Sequence, residues 1–126
     1  MNYPYIGMDV VTQNKYTLQN AIIRKIELKL IGHFDNRISV MVMTDRAVLF
    51  SHADSTRSCG LLIKELFELL GLSDDDGRTL DSVRNVPCRL LIKADEIFGI
   101  GHFIEDKFVE TPALIHYVNM MIKKED

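Results

Sequence analysis

Apolar and polar residues alternate along three successive stretches in the first half of the chain. Residues 21–31 read AIIRKIELKLI. One set of alternate positions includes Ile22, Ile26, Leu28 and Leu30, and the other includes Lys25, Glu27 and Lys29. Similar runs occupy residues 38–44 and 47–52, after polar turns at 32–37 and 45–46. A period of two is typical of half-buried strands, so the sequence predicts a meander of three strands.

The spacing of apolar residues becomes helical after residue 58. Ser58 is suited to cap the helix that follows, and Gly71 is placed to end it. The apolar positions of this predicted helix recur every three or four residues: Leu62, Ile63, Leu66, Phe67, Leu69 and Leu70. The sequence therefore predicts one amphipathic helix in the middle of the chain.

Two further strands and a segment of mixed character make up the rest of the chain. Pro87 favours an extended entry into a strand at 88–93, and a second strand is predicted at 97–104. Residues 113–122 fit helical spacing and strand alternation about equally. Thr111 as a cap, with a proline in the first turn and two lysines at the end, favours a helix.

The predicted order is three strands, a helix, two strands and a C-terminal helix. It indicates an α+β protein built on a small antiparallel β-barrel or sheet. An OB-fold, a partly open five-stranded barrel that binds oligonucleotides, has this order, and so do other small barrels and helix-backed sheets. With 126 residues and no recognisable linker, the chain is expected to form a single domain over residues 1–126.

Composition and charge narrow the classes of function. Lys and Arg number 15 against 18 Asp and Glu, and the net charge of −3 does not indicate indiscriminate binding to nucleic acid. The first half is mildly basic and the second half acidic. No basic cluster followed by an apolar run opens the chain, and no run approaches the ~20 apolar residues that cross a bilayer. A cytoplasmic protein without membrane contact is expected.

Catalytic and cofactor motifs are not assembled in the sequence. Histidines and cysteines lack metal-ligand spacing, and Gly99-Ile100-Gly101 lacks the third glycine of a dinucleotide site. We therefore expect no metal, no cofactor and no enzyme activity. The one minor alternative is a cysteine-dependent enzyme, in which Cys59 at a helix start would be activated with His52 nearby.

Met41 and Met43 are the strongest candidates for a binding surface. They share the strand parity opposite to Val40 and Val42, which places two methionines on the nominally exposed face. Methionine forms adaptable contact surfaces, and monomers rarely leave large apolar patches bare. The face is expected to be covered by the terminal segment, by a foreign partner or by a second copy in a homodimer, which we favour slightly.

The region from about residue 58 to 110 resembles small uncharacterised accessory proteins of tailed phages and prophages. The shared features are the leucine-rich helix ending at Gly71, an Arg-containing strand, and a glycine-containing strand, Ile97–Ile104, that leads to Asp106-Lys107-Phe108. The resemblance implies a phage or prophage origin, in an infected or lysogenic bacterial host, and an accessory role in phage DNA metabolism or against a host factor. It implies no catalytic residues.

The leading hypothesis is a non-enzymatic protein that binds a host or phage protein, such as a host nuclease or defence system. The alternative is a single-strand nucleic-acid-binding module of OB-like type, which needs cations for the backbone and an exposed aromatic for base stacking. The candidate residues for that role are Arg24, Lys25, Lys29, Arg37, Arg46, Phe34 and Phe50.

Overall fold

The computed structural model describes residues 3–31, 37–72 and 79–125. The strands are β1 Tyr5–Ile6, β2 Thr17–Ile31, β3 Arg37–Thr44, β4 Val48–Ala53, β5 Pro87–Lys93, β6 Glu96–His102 and β7 Phe108–Glu110. The helices are α1 Met8–Gln13, α2 Thr56–Leu69 and α3 Thr111–Glu125, with a short 3₁₀ helix at Leu80–Val83. The α+β class expected from the sequence is confirmed.

The strands form one open antiparallel sheet in the order β1-β7-β6-β5-β2-β3-β4. The sheet has two parts, and the long strand β2 belongs to both. The first half of β2 pairs with β5, and the second half pairs with β3. The β2–β3 register shifts between Ile23 and Lys25, where one extra residue on β2 marks a bulge. The β2–β3–β4 meander predicted from alternation is present, and β2 belongs to both parts of the sheet.

Helices α2 and α3 cover one face of this sheet. Val40, Val42 and Leu49 from the meander share a buried cluster with α2 residues and with Leu114 and Val118 of α3. Alternate residues of each strand point to the same side, so the faces that carry these valines and Leu49 form the core. The last segment is a helix, as the terminal lysines favoured, but it begins at Thr111, which was predicted to be the cap before it.

The start of α2 differs from the sequence-based prediction. Ser55 is the N-cap, and Ser58 lies three residues into the helix. The Ser58 N–H donates to Ser55 Oγ at 3.1 Å, and the Ser55 N–H donates to Ser58 Oγ at 2.9 Å. This reciprocal capping box satisfies two helix-end donors, and Ser58 is buried beneath it. The prediction that Ser58 caps the helix was wrong by three residues.

The end of α2 agrees with the prediction. Leu70 is the C-cap, and Gly71 follows it with a φ of 82°. Glycine adopts this left-handed conformation without a steric cost, which makes it the usual residue just beyond a helix.

Several residues of the region that resembles phage accessory proteins pack together around Phe108, just after the end of β6. Arg89 Nε donates to the His102 carbonyl at 2.8 Å, and its Nη2 donates to the Glu105 carbonyl at 2.7 Å. The guanidinium lies 4.6 Å from the centre of the Phe108 ring. These bonds hold the loop after His102, where β6 ends two residues before the predicted Ile104. The Arg and aromatic positions therefore have a structural role here.

Candidate functional site

The outer face of the β2–β3–β4 meander is the side opposite to the helices. Residues that pair directly across antiparallel strands share a face, and Met41 pairs with Glu27 on β2 and with Phe50 on β4. Met43 pairs with Lys25 and Val48. We define the outer face as the residues Lys25, Glu27, Lys29, Ile31, Arg37, Ser39, Met41, Met43, Val48, Phe50 and His52.

The terminal helix does not lie on the outer face. Leu114 and Val118 of α3 pack into the cluster that contains Val40 and Val42, on the other side of the sheet from Met41. Of the three alternatives, the first is therefore not found: within the described residues, the terminal segment does not cover the methionines. Met41 and Met43 are half-buried among their strand neighbours.

Phe50 is the most exposed apolar side chain of the outer face. It is 66% exposed and lies on the edge strand β4, beside Met41 of β3. A phenylalanine ring has no polar atom to hydrate, and aromatic residues are enriched in the cores of protein interfaces. The outer face thus combines an exposed aromatic ring with two adaptable methionines.

The cations proposed for nucleic-acid binding divide into two groups. Lys25, Lys29 and Arg37 lie on the outer face with Phe50. Lys25 Nζ is 3.0 Å from Glu27 Oε2, and Arg37 Nε is 4.0 Å from Asp54 Oδ1. Two of the three cations are therefore partly neutralised.

The other candidates of that set lie elsewhere. Arg24 is the extra residue of the bulge, and its Nη1 is 3.4 Å from Asn85 Oδ1. Arg46 lies in the turn between β3 and β4. Phe34 lies outside the described residues, so Phe50 is the aromatic candidate that the structure places.

A cavity of about 540 Å³ lies between β4, β6 and α3. Phe50 and His52 line it from β4, Phe98 from β6, and Ile115, His116 and Asn119 from α3. The described residues around it include no Asp, Glu, Lys or Arg. Its volume falls within the range of ligand sites, about 300–1,000 Å³. No local motif in the sequence predicts it, because three elements distant in the chain form it.

Cys59 and Cys88 are both buried free thiols. Burial raises the pKa of the Cys59 thiol. Burial and the nearby Asp45 carboxylate raise the pKa of the Cys88 thiol to about 12. A reactive cysteine needs a lowered pKa and access to solvent, so the surroundings of Cys59 do not favour the cysteine-enzyme alternative.

Two partly buried tyrosine hydroxyls tie the N-terminal segment to the rest of the fold. The Tyr5 hydroxyl donates to the Glu65 carboxylate of α2, and the Tyr16 hydroxyl donates to the Glu110 carboxylate of β7. Burial, together with this bond, raises the pKa of Tyr5, and the same causes raise the pKa of Tyr16 to about 12. Both phenols stay protonated as donors, which is a structural role.

The described part of the chain holds no group of three or more His, Cys, Asp or Glu residues arranged to bind a metal ion. None of its helices is long and apolar enough to cross a membrane.

Comparison with known proteins identifies no relative. No family model matches the chain, and no match was found among curated proteins or solved structures. The outer face and the adjoining cavity are therefore the features from which function is argued.

Proposed function

We propose that this chain is a non-enzymatic accessory protein, of phage or mobile-element origin, that binds a host or phage protein through the outer face. The observation that carries the proposal is the exposed Phe50 ring beside Met41. Aromatic residues and methionine are enriched where proteins meet, and a small set of such residues supplies most of the binding energy.

The outer face itself carries Lys25, Lys29 and Arg37 against one carboxylate, Glu27, and the acidic excess of the chain lies in a different part of the sequence. Residues 58–126 carry an excess of Asp and Glu over Lys and Arg. Complementary potentials speed association and exclude wrong partners, and an acidic region competes with nucleic acid for a basic channel. A host nuclease or a defence protein with a basic site is the proposed partner, with the acidic half of the chain aiding association and the outer face supplying the apolar contacts.

Met41→Asp tests the proposal, because it places a charge in the centre of the outer face. We expect the variant to fold, since Met41 is only half-buried and lies opposite the helices. An unpaired charge in an interface centre is costly, so the partner should bind at least tenfold more weakly. The matched control is Ile104→Asp, which adds the same charge at a residue that is 78% exposed in the loop after β6.

Affinity purification from bacterial lysate with wild type, Met41→Asp and Ile104→Asp provides the measurement. A protein retained by wild type and Ile104→Asp but lost from Met41→Asp supports the proposal. Equal recovery with all three variants, or no specific protein with any, contradicts it. If light scattering shows a wild-type dimer that Met41→Asp converts to a folded monomer, the partner on this face is a second copy.

The finer assignment of the fold, an OB-like barrel, is also a proposal. Three features support it: β2 is long and pairs with both β3 and β5, a helix lies between β4 and β5, and β4 comes close to β6 without pairing with it. In OB-folds the second and third strands carry the binding face. The corresponding strands here are β3 and β4, which contribute Met41 and Phe50.

A second candidate function, single-strand nucleic-acid binding, is favoured by one specific observation. Lys25, Lys29 and Arg37 lie on the same face as the exposed Phe50. Stacking of one base on an aromatic ring is worth about 1–3 kcal/mol, and cations beside it would contact phosphates. This combination is what a single-strand binder requires.

Binding of a fluorescent single-stranded oligonucleotide at low and high salt tests this candidate. If phosphate contacts dominate, affinity should fall steeply with salt. Phe50→Ala should weaken binding about tenfold, whereas Phe103→Ala, which removes a partly exposed ring outside the outer face, should not. Absence of binding at low salt would remove the candidate.

A further inference from the structure

The free edge of β4 carries unpaired backbone groups. The Thr44 N–H donates to the Ala47 carbonyl at 2.9 Å, which makes this a hydrogen-bonded pair. Such pairs alternate with non-hydrogen-bonded pairs along an antiparallel ladder. Because the β3–β4 register continues without a shift, the N–H and C=O groups of Val48, Phe50 and His52 point away from β3. Within the described chain they have no partner.

β4 lacks the sequence features that usually protect an edge strand. Its sequence, VLFSHA, contains no lysine, no proline and no glycine, and its pairing with β3 has no bulge. Natural edge strands are typically short, charged or bulged, because unpaired strands recruit other chains. The opposite edge, β1, has only two residues. The sheet is thus protected at one end and open for pairing at the other.

The cavity described above lies along this same edge. Phe50, Ser51 and His52 form its β4 wall, and Ile115 and Phe98 supply apolar surface opposite. His116 and Asn119 also line it, and their side chains have no hydrogen-bond partner among the described residues. With no charged lining residue, the cavity is complementary to an uncharged group. Backbone pairing at the edge and a cavity of mixed polar and apolar lining beside it therefore occur together.

We propose that β4 accepts an extended segment of the partner protein as an added strand, with one uncharged side chain of that segment in the cavity. Strand addition takes affinity from backbone hydrogen bonds and specificity from pockets for alternate side chains. The inference rests on the proposed function and names the kind of segment that the partner contributes. Phe50 connects the two surfaces, because its ring lies on the outer face and its backbone lies on the free edge.

The position of the edge favours a single extended segment over a second copy of this chain. The edge is flanked by α3 and comes close to β6. A second β4 would bring its own α3 and β6 to the same groove. A flexible segment has no such neighbours, so it fits the recess with less steric conflict.

His52→Pro provides the test, since proline removes one N–H from the free edge. The His52 N–H points away from β3, and proline is tolerated on edge strands when its nitrogen faces outward. The β3–β4 ladder should therefore remain intact. His52→Ala is the matched control, because it removes the same side chain and keeps the N–H. The probe is a peptide selected from a random library displayed on phage and measured by fluorescence polarisation.

We expect the selected peptide to bind wild type and His52→Ala similarly and His52→Pro at least tenfold more weakly. A peptide N-methylated at alternate backbone positions should also lose binding to wild type, which keeps the test decisive if His52→Pro does not fold. Amide chemical shifts of Phe50 and His52 should change when the unmodified peptide is added.

Equal binding by His52→Pro and His52→Ala would overturn the inference, as would failure to select any peptide on wild type. A wild-type dimer that His52→Pro converts to a monomer would also overturn it in favour of a second copy. The two failures are distinguishable. If Met41→Asp loses the partner and His52→Pro keeps it, the proposed function holds and strand addition fails; if Met41→Asp keeps the partner, the proposed function fails.

Discussion

Replacing Phe108 with alanine is expected to lower the free energy of unfolding by about 3–5 kcal/mol. The side chain is 0% exposed and forms a second buried cluster with Val11 and Leu91. Its removal leaves a cavity and takes away the ring on which Arg89 stacks. Because small domains have only about 5–15 kcal/mol of stability, this single change should remove a large share.

Chemical denaturation of wild type and Phe108→Ala measures this effect. Phe50→Ala is the control, because its ring is mostly exposed and its loss should change stability by only about 0.5 kcal/mol or less. The pair also separates stability from binding, since Phe50→Ala should weaken binding without unfolding the protein. Similar stability losses in the two variants would show that Phe108 is not a core residue.

Gly99→Ala is the second change expected to have a large effect, with a loss of about 1–3 kcal/mol or more. A Cβ atom on Gly99 would lie 2.1 Å from the Val109 carbonyl oxygen. That atom belongs to the backbone of β7, which pairs with β6 at this point, so it cannot move aside without disturbing the pairing. The substitution should therefore separate β7 from the sheet or distort β6.

Gly60→Ala is the control, because it makes the same glycine-to-alanine change but is expected to raise stability instead of lowering it. Gly60 lies inside α2, and a Cβ atom there would have no neighbour within 4 Å. Alanine is favoured over glycine in a helix by about 1 kcal/mol, so Gly60→Ala should raise the melting temperature. If both alanine variants melt at the wild-type temperature, the close approach of β6 and β7 is not present in the protein.

The parts of the fold that the sequence predicted are those with a local period. Alternation located β2, β3 and β4, and helical spacing located α2 and its end at Gly71. β1 and β7 were missed because strands of two or three residues are too short to show a period. The start of α2 was misplaced by three residues, because the capping preference of serine was assigned to Ser58, whereas Ser55 accepts the N–H of Ser58 in the structure.

The candidate site also has a part that the sequence predicted and a part that it did not. Strand parity alone placed Met41 and Met43 opposite to the buried Val40 and Val42, because successive side chains on a strand alternate between faces. Parity could not show that Phe50 is exposed, since exposure depends on which face the helices cover. The free edge of β4 and the cavity beside it depend on the position of α3 and β6, which are more than forty residues away in sequence. Only the tertiary structure decided those features, because packing between distant elements leaves no periodic pattern in the sequence.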